Sequence, residues 1–121
     1  MKTILIVDDN FDNRTIIAQM LKLSGYNIHL AANGSDAIML ALQLNPDLIM
    51  MDLAMPGLDG WSASMQLKSN PKTEAIPIIA VTGHVTQADI QRALNSGCDD
   101  YLSKPIDYEV MIQKVQRHLA P

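Results

Sequence analysis

What most constrains the fold of this chain is an alternation: short apolar, β-rich runs take turns with longer stretches of helical period. The runs are "TILIV" at 3–7, "NIHLA" at 27–31, "DLIMM" at 47–51, "IPIIAV" at 76–81 and "DYLS" at 100–103. Between them apolar residues recur three or four apart: Ile17, Met20 and Leu21; Ala37, Ile38, Ala41 and Leu42; Trp61 and Met65; Ile90, Ala93 and Leu94; Met111, Val115 and Leu119. Strands separated by helices are joined as right-handed parallel crossovers, with helices covering both faces of the sheet. The pattern predicts an α/β fold of the (βα)5 type, doubly wound around a parallel five-stranded sheet. Punctuation agrees with it. Gly25 and Gly97 stand where helix C-termini take a left-handed residue, Pro46 stops the second helix, and Asn10, Thr86 and Asp107 are placed to cap the helices that follow them. The runs at 3–7, 47–51 and 76–81 are nearly all apolar, as doubly covered strands are. "NIHLA" is an edge candidate, and His29 is read as a solvent-facing edge residue without a function.

With 121 residues the chain is expected to form one domain, 1–121, with no room for an output domain after the last helix. Thirteen acids against nine bases give a formal charge of -4, which argues against nucleic acid or an anionic membrane as a surface-wide partner. No apolar segment approaches the ~20 residues that span a bilayer, and no basic-then-apolar leader follows Met1, so a soluble cytoplasmic protein is expected. Cys98 has no second cysteine to pair with, and His29, His84 and His118 lack zinc-site spacing.

In open parallel sheets ligands bind beyond the carboxyl ends of the strands. After the first run comes Asp8-Asp9, after the third Asp52, after the fourth Thr82 and after the fifth Lys104, so these groups are predicted to share one edge of the sheet. A second acidic pair, Asp99-Asp100, precedes the fifth run; it belongs at the opposite edge and is read as a solvated turn. Asp47 and Asp59 are likewise placed outside the site. Taken alone, Asp8-Asp9 is an acid-dressed helix N-terminus. Taken with Asp52, Thr82 and Lys104 it is a site. Carboxylates ~5 Å apart repel by ~3 kcal/mol per pair at an effective dielectric near 20, so the cluster calls for a cation. Oxygen ligands without His or Cys suit Mg²⁺ or Mn²⁺. A carboxylate beside a metal, a hydroxyl and an ammonium is equipped for phosphoryl transfer, and Asp52, anchored by the apolar run before it and opened by the Pro56-Gly57 turn after it, is the candidate nucleophile.

Together these residues resemble the receiver domain of bacterial two-component response regulators, of the single-domain, chemotaxis-regulator-like kind. The matching pieces are "ILIVDDN" with Asp8 and Asp9, "DLIMMDLAMPGLDG" with Asp52, Pro56 and Gly60, "IIAVTGH" with Thr82, and "YLSKP" with Tyr101, Lys104 and Pro105. The resemblance covers essentially the whole chain and implies the flavodoxin-like strand order 2-1-3-4-5. It implies that Asp52 accepts a phosphoryl group from a histidine of a sensor kinase or phosphotransfer protein. It also implies that Asp9, Asp52 and the backbone carbonyl of Ala54 bind Mg²⁺, with Asp8 acting largely through water. Lys104 and Thr82 are then expected to contact the phosphoryl group, Tyr101 to follow Thr82, and the Lys104-Pro105 bond to be cis. Ala54 and His84 are expected to flank the path of the hydrolytic water and to modulate the lifetime of the modified state.

The expected function is thus a phosphorylation switch that is no enzyme beyond its own phosphotransfer and autodephosphorylation. Readout is expected through the fourth helix, fifth strand and fifth helix, with Gln91, Arg92 and Tyr108 as candidate surface residues, and donor docking near the first helix and Pro105. The rival enzyme reading, an aspartate-nucleophile phosphatase, lacks an acid two residues after Asp52. A flavin module would need a donor-rich loop where "DDNFDN" presents carboxylates. The methionines, among them Met50, Met51, Met55 and Met65, are read as core filling, Trp61 as partly packed on the sheet, and Phe11 as a staple at the start of the first helix or a guard at the site entrance.

Overall fold

A computed structural model describes residues 1–55, 57–83 and 86–120. Five strands, β1 (Thr3–Val7), β2 (Asn27–Ala31), β3 (Leu48–Asp52), β4 (Ile78–Thr82) and β5 (Asp100–Ser103), alternate with five helices, α1 (Phe11–Leu23), α2 (Gly34–Leu44), α3 (Gly60–Lys68), α4 (Gln87–Asn95) and α5 (Tyr108–Leu119). All strand pairings are parallel and the order is β2-β1-β3-β4-β5. The sheet separates two apolar layers. Ile4, Ile6, Leu48, Met50, Ile79 and Val81 face α1 and α5 through Ile17, Leu21, Met111 and Val115. Leu5, Val7, Ile49, Met51, Ile78 and Ala80 face α2, α3 and α4 through Ala37, Ala41, Ala63, Leu67 and Ala93. Consecutive strand residues point to opposite faces, so strands covered on both must be apolar throughout, and every residue of β3 and β4 is buried.

The helices start where the sequence allows a side chain to satisfy their free N–H groups. Asn10 accepts from the Asn13 N–H, Thr86 from Asp89 and Asp107 from Glu109 and Val110. Gly25 and Gly97, with φ of 94° and 95°, follow the C-caps of α1 and α4. Gly60 serves another need. A Cβ there would overlap the Asp52 carbonyl and the Leu53 Cα, so the start of α3 lies directly against the backbone that carries Asp52.

Two strands sit later than their apolar runs suggest. Asp47 stays outside β3 because its Oδ2 accepts from the Thr3 N–H at 2.8 Å, and Pro77, without an N–H, lends only its carbonyl, to Ile49 at 3.0 Å. At the other end Asp52 pairs with Val81 and Thr82 with Ser103, so these two are the last residues of β3 and β4 rather than the first beyond them.

Met65 is another correction: at 55 % exposure it fills no core, because its position on α3 faces outward, whereas Met50, Met51 and Met55 are buried. His29 lies half-buried on the edge strand β2. Asp99-Asp100 is no solvated turn, since Asp100 opens β5 and is mostly buried among cations of α5. Cys98 is buried beside Ser64, and burial pushes its thiol up.

Candidate functional site

The carboxyl ends of β1, β3, β4 and β5 converge on one patch. Asp8 and Asp52 are each only 2 % exposed, whereas Asp9 faces solvent. One carboxylate oxygen from each of the three lies within 4.8 Å of the others. Lys104 Nζ reaches in from the end of β5, 3.3 Å from Asp52 Oδ2 and 3.9 Å from Asp8 Oδ2. One ammonium against three carboxylates leaves the patch negative, and oxygen ligands at this spacing fit a hard divalent cation.

Each group is held by local backbone. The Asn10 N–H donates to Asp8 Oδ1 at 2.8 Å, and the Ala54 N–H donates to Asp52 Oδ1 at 3.1 Å. The Lys104 N–H donates to the Thr82 carbonyl at 2.8 Å, tying the β5 exit to the end of β4, and the Lys104–Pro105 peptide is cis. Arg14 Nη1 donates to the Asp8 carbonyl at 2.8 Å, a contact that sequence reasoning missed. Its signal was an arginine in the first turn of α1, just after the acidic loop.

The electrostatics follow from this packing. Burial, and after it the charge of Asp8, push the Asp52 carboxyl up from its ordinary 3.8 to about 6, against the opposing pull of Lys104 and the Ala54 N–H. An acid in that condition holds its proton up to about pH 6, well above the usual carboxylate range. Near neutral pH the group is ionised, and its charge is one that burial and Asp8 disfavour, so a cation placed beside it would be stabilising.

Of the other predicted residues, Thr82 is buried at the end of β4, and Tyr101 lies on β5, part-buried, with Lys114 Nζ 4.6 Å from its ring centroid and bonded to its carbonyl at 2.6 Å. Pro56 and His84 lie outside the described residues. Asp59 caps α3, accepting from the Ser62 N–H at 2.8 Å. Arg92 is exposed on α4, as expected of a surface residue, and its guanidinium lies 3.9 Å from the Trp61 ring centroid, bridging α4 to α3. The indole Nε1 of Trp61 is buried with no hydrogen-bond partner among the described residues. Tyr108 turns toward α1 instead of α4, lining a cavity of about 530 Å³ with Asp8, Asn13, Ile17, Lys104 and Ile106. Phe11 is 68 % exposed near the acidic loop.

This geometry has relatives. The model of the response regulator receiver domain matches residues 4–116. The chain belongs to the response regulator receiver domain family. Among curated receivers it is 39 % identical over 120 residues to protein PilH of Pseudomonas aeruginosa, covering 99 % of each chain. It is 35 % identical to the polar-differentiation response regulator DivK of Brucella anthropi, covering 98 % of this chain and 97 % of that one. Its fold matches the receiver domain of a sensor histidine kinase from Pseudomonas aeruginosa PAO1, solved with a magnesium ion coordinated in the active-site cleft. That match has a TM-score of 0.92 and 36 % identity, covering 99 % and 98 % of the two chains. Chemotaxis protein CheY4 of Vibrio cholerae matches with a TM-score of 0.93 at 27 % identity, covering 98 % of this chain and 99 % of that one. Receivers are phosphoacceptor switches of two-component signalling, so this chain is a signalling domain and the phosphatase reading is not favoured. Among the described residues no helix is long and apolar enough to cross a membrane.

Proposed function

We propose that Asp52 is the phosphoacceptor of this receiver and that the whole chain, 1–121, works as one switch in the cytoplasm. The observation that carries this reading is the buried Asp52 carboxylate, 3.3 Å from the Lys104 ammonium and within 4.8 Å of oxygens of Asp8 and Asp9. In the reaction an Asp52 oxygen bonds to phosphorus as the phosphorus–nitrogen bond of a donor phosphohistidine breaks. Asp8, Asp9, Asp52 and the Ala54 carbonyl would hold Mg²⁺, or Mn²⁺ in its place. When bound, the metal supplies charge neutralisation for the transferring group. Lys104 neutralises a second oxygen, and the Thr82 hydroxyl donates to a third. Tyr101 then follows Thr82, so that a local dianion is heard at the surface.

The donor is a sensor histidine kinase or histidine phosphotransfer protein, docked beside the cavity between α1 and the Lys104–Tyr108 segment. That cavity is open to the site, and Asp8 and Lys104 form part of its wall. Readout belongs to α4, β5 and α5. A second cavity, about 260 Å³, lies there against Tyr101, Ser103, Val110 and Lys114, with Gln91 exposed on α4. No direct contact with nucleic acid or membrane is part of this reading, and turnover is limited to the domain's own phosphotransfer and autodephosphorylation.

The test is incubation with Mg²⁺ and a small phosphodonor, followed by mass spectrometry of the modified residue. Asp52 gains one phosphoryl group and Asp52→Asn gains none; modification at another residue, or equal modification of the variant, rejects the assignment. The lifetime of the modified state is expected to depend on Ala54, small enough to leave the water path open, and on His84, large enough to cover it in part. His84→Ala is expected to speed loss of the label several-fold, on the order of a contribution of ~1 kcal/mol to the barrier. An unchanged rate removes His84 from the mechanism.

A further inference from the structure

Asp9 is the acid of the cluster that the fold secures least. It is exposed, and no described residue donates a hydrogen bond to its carboxylate, whereas Asp8 and Asp52 are buried and each accepts a backbone N–H. What the structure holds is the backbone from which its side chain departs. The peptide joining Asp8 to Asp9 is planar, so whatever fixes the Asp8 carbonyl fixes the plane from which the Asp9 Cα departs. That carbonyl accepts a hydrogen bond from Arg14 Nη1 at 2.8 Å.

Arg14 is itself well placed to hold still. Its own N–H closes a helical bond to the Asn10 carbonyl at 3.0 Å, and Asn10 caps α1 while donating to Asp8 Oδ1. The guanidinium lies 5.6 Å from the Phe11 ring centroid, within reach of a cation–π attraction. Arginine, cap and ring form one short circuit from α1 back to the acidic loop.

We infer that Arg14 is a positioning residue for the divalent cation, a latch that holds the Asp8-Asp9 peptide so that the exposed Asp9 carboxylate points into the cluster. The inference rests on the reading that Asp8, Asp9 and Asp52 hold Mg²⁺. It opposes a simpler expectation from charge. A cation beside three carboxylates lowers their attraction for Mg²⁺, so if Arg14 acted only as a charge, its removal would tighten metal binding. If it acts as a latch, removal weakens binding. The sign decides between them.

The experiment is calorimetric titration of the full chain with Mg²⁺ alone, with thermal unfolding of the metal-free protein measured alongside. Residues that orient ligands typically contribute 10- to 100-fold to metal affinity. Arg14→Ala is expected to weaken Mg²⁺ binding on the order of ten-fold, at the low end because the contact is to backbone. The maximal phosphorylation rate at saturating Mg²⁺ stays near that of the wild type, which separates positioning from chemistry. Arg14→Lys, which keeps a donor and the charge, recovers part of the loss. Phe11→Ala, at a residue 68 % exposed, gives a smaller loss of the same sign. Equal or tighter Mg²⁺ binding by Arg14→Ala overturns the latch. Should that variant not fold, unchanged affinity in Phe11→Ala overturns it. A wild-type chain without Mg²⁺ affinity overturns the metal site and the latch together, whereas a binding wild type with an unaffected Arg14→Ala removes the latch alone.

Discussion

Two acidic groups stand at opposite ends of the same sheet and live in opposite electrostatic conditions. At the carboxyl end, Asp8 and Asp52 share one ammonium, Lys104, and Asp9 beside them has no ion pair among the described residues. At the amino end, Asp100 meets Lys114 Nζ at 3.0 Å, Arg117 Nη2 at 2.6 Å and His118 Nε2 at 3.0 Å, and Asp99 meets Lys68 Nζ at 2.9 Å. Burial acts on both Asp52 and Asp100, raising each. At Asp52 nothing sufficient opposes it, and the carboxyl rises to about 6. At Asp100 hydrogen bonds from His118, Lys114, the Tyr101 N–H and Arg117 outweigh it, and the carboxyl is held well below the usual carboxylate range. An acidic cluster that the protein neutralises itself is structure. One left short of cations is a place for an outside cation, and this difference separates the candidate site from its look-alike.

The contrast is broken or upheld by asparagine at each position, which should move stability in opposite directions. Asp100→Asn strips a mostly buried set of ion pairs of its anion and should destabilise the metal-free protein by about 3 kcal/mol at pH 7. Because the folded-state value is depressed, this stabilisation is present above the unfolded value of 3.8 and fades as pH falls through the lower folded value. Asp52→Asn should stabilise the metal-free protein by about 2 kcal/mol at pH 7.5, since it removes a charge the fold disfavours. Here the folded-state value is raised. The stability tied to Asp52 is complete below 3.8 and lost as pH climbs through about 6, so the gain of the variant grows between about pH 4 and pH 6, is full above that range and vanishes below it. Urea unfolding of both variants at pH 4.5 and 7.5 measures all four values. A destabilised Asp52→Asn at pH 7.5 would show the two ends to be alike.

Much of this contrast was legible before any coordinates. The alternation of periods placed Asp8, Asp52, Thr82 and Lys104 at one edge and Asp99-Asp100 at the other, because a parallel sheet sends every strand end the same way. What the pattern did not supply was the company each acid keeps. Lys114, Arg117 and His118 are spaced three and four apart and therefore share one face of α5, a signal present in the sequence. That the face lies over Asp100 depends on how α5 crosses the sheet, which no local period encodes. Arg92 illustrates the same limit: its place on α4 was readable, but its stacking on Trp61 of α3 follows from side-chain packing between two helices distant in sequence. Arg14 escaped for a smaller reason, since its partner is a carbonyl and carbonyls leave no mark in a sequence.

The smallest effect is expected where the amino-end cluster is most open to water. Lys68 donates to Asp99 Oδ2 at 2.9 Å and to the carbonyls of Glu74 at 3.2 Å and Ile76 at 2.7 Å, so it ties the end of α3 to the segment entering β4. The Asp99 side chain is 40 % exposed, however, and its Oδ2 also accepts the Ile78 N–H at 2.8 Å, which keeps that carboxylate partnered without the lysine. Water screens what remains of the ion pair. Lys68→Met retains the aliphatic stem that packs against Gly97 and loses only the ammonium. A loss of about 0.5 kcal/mol is expected, shrinking in 1 M salt, with phosphorylation of Asp52 at the wild-type rate. A loss several times larger, or one indifferent to salt, would mean that the carbonyl contacts rather than the charge hold this corner, and that neutralisation at the amino end rests on Asp100 and its three α5 partners alone.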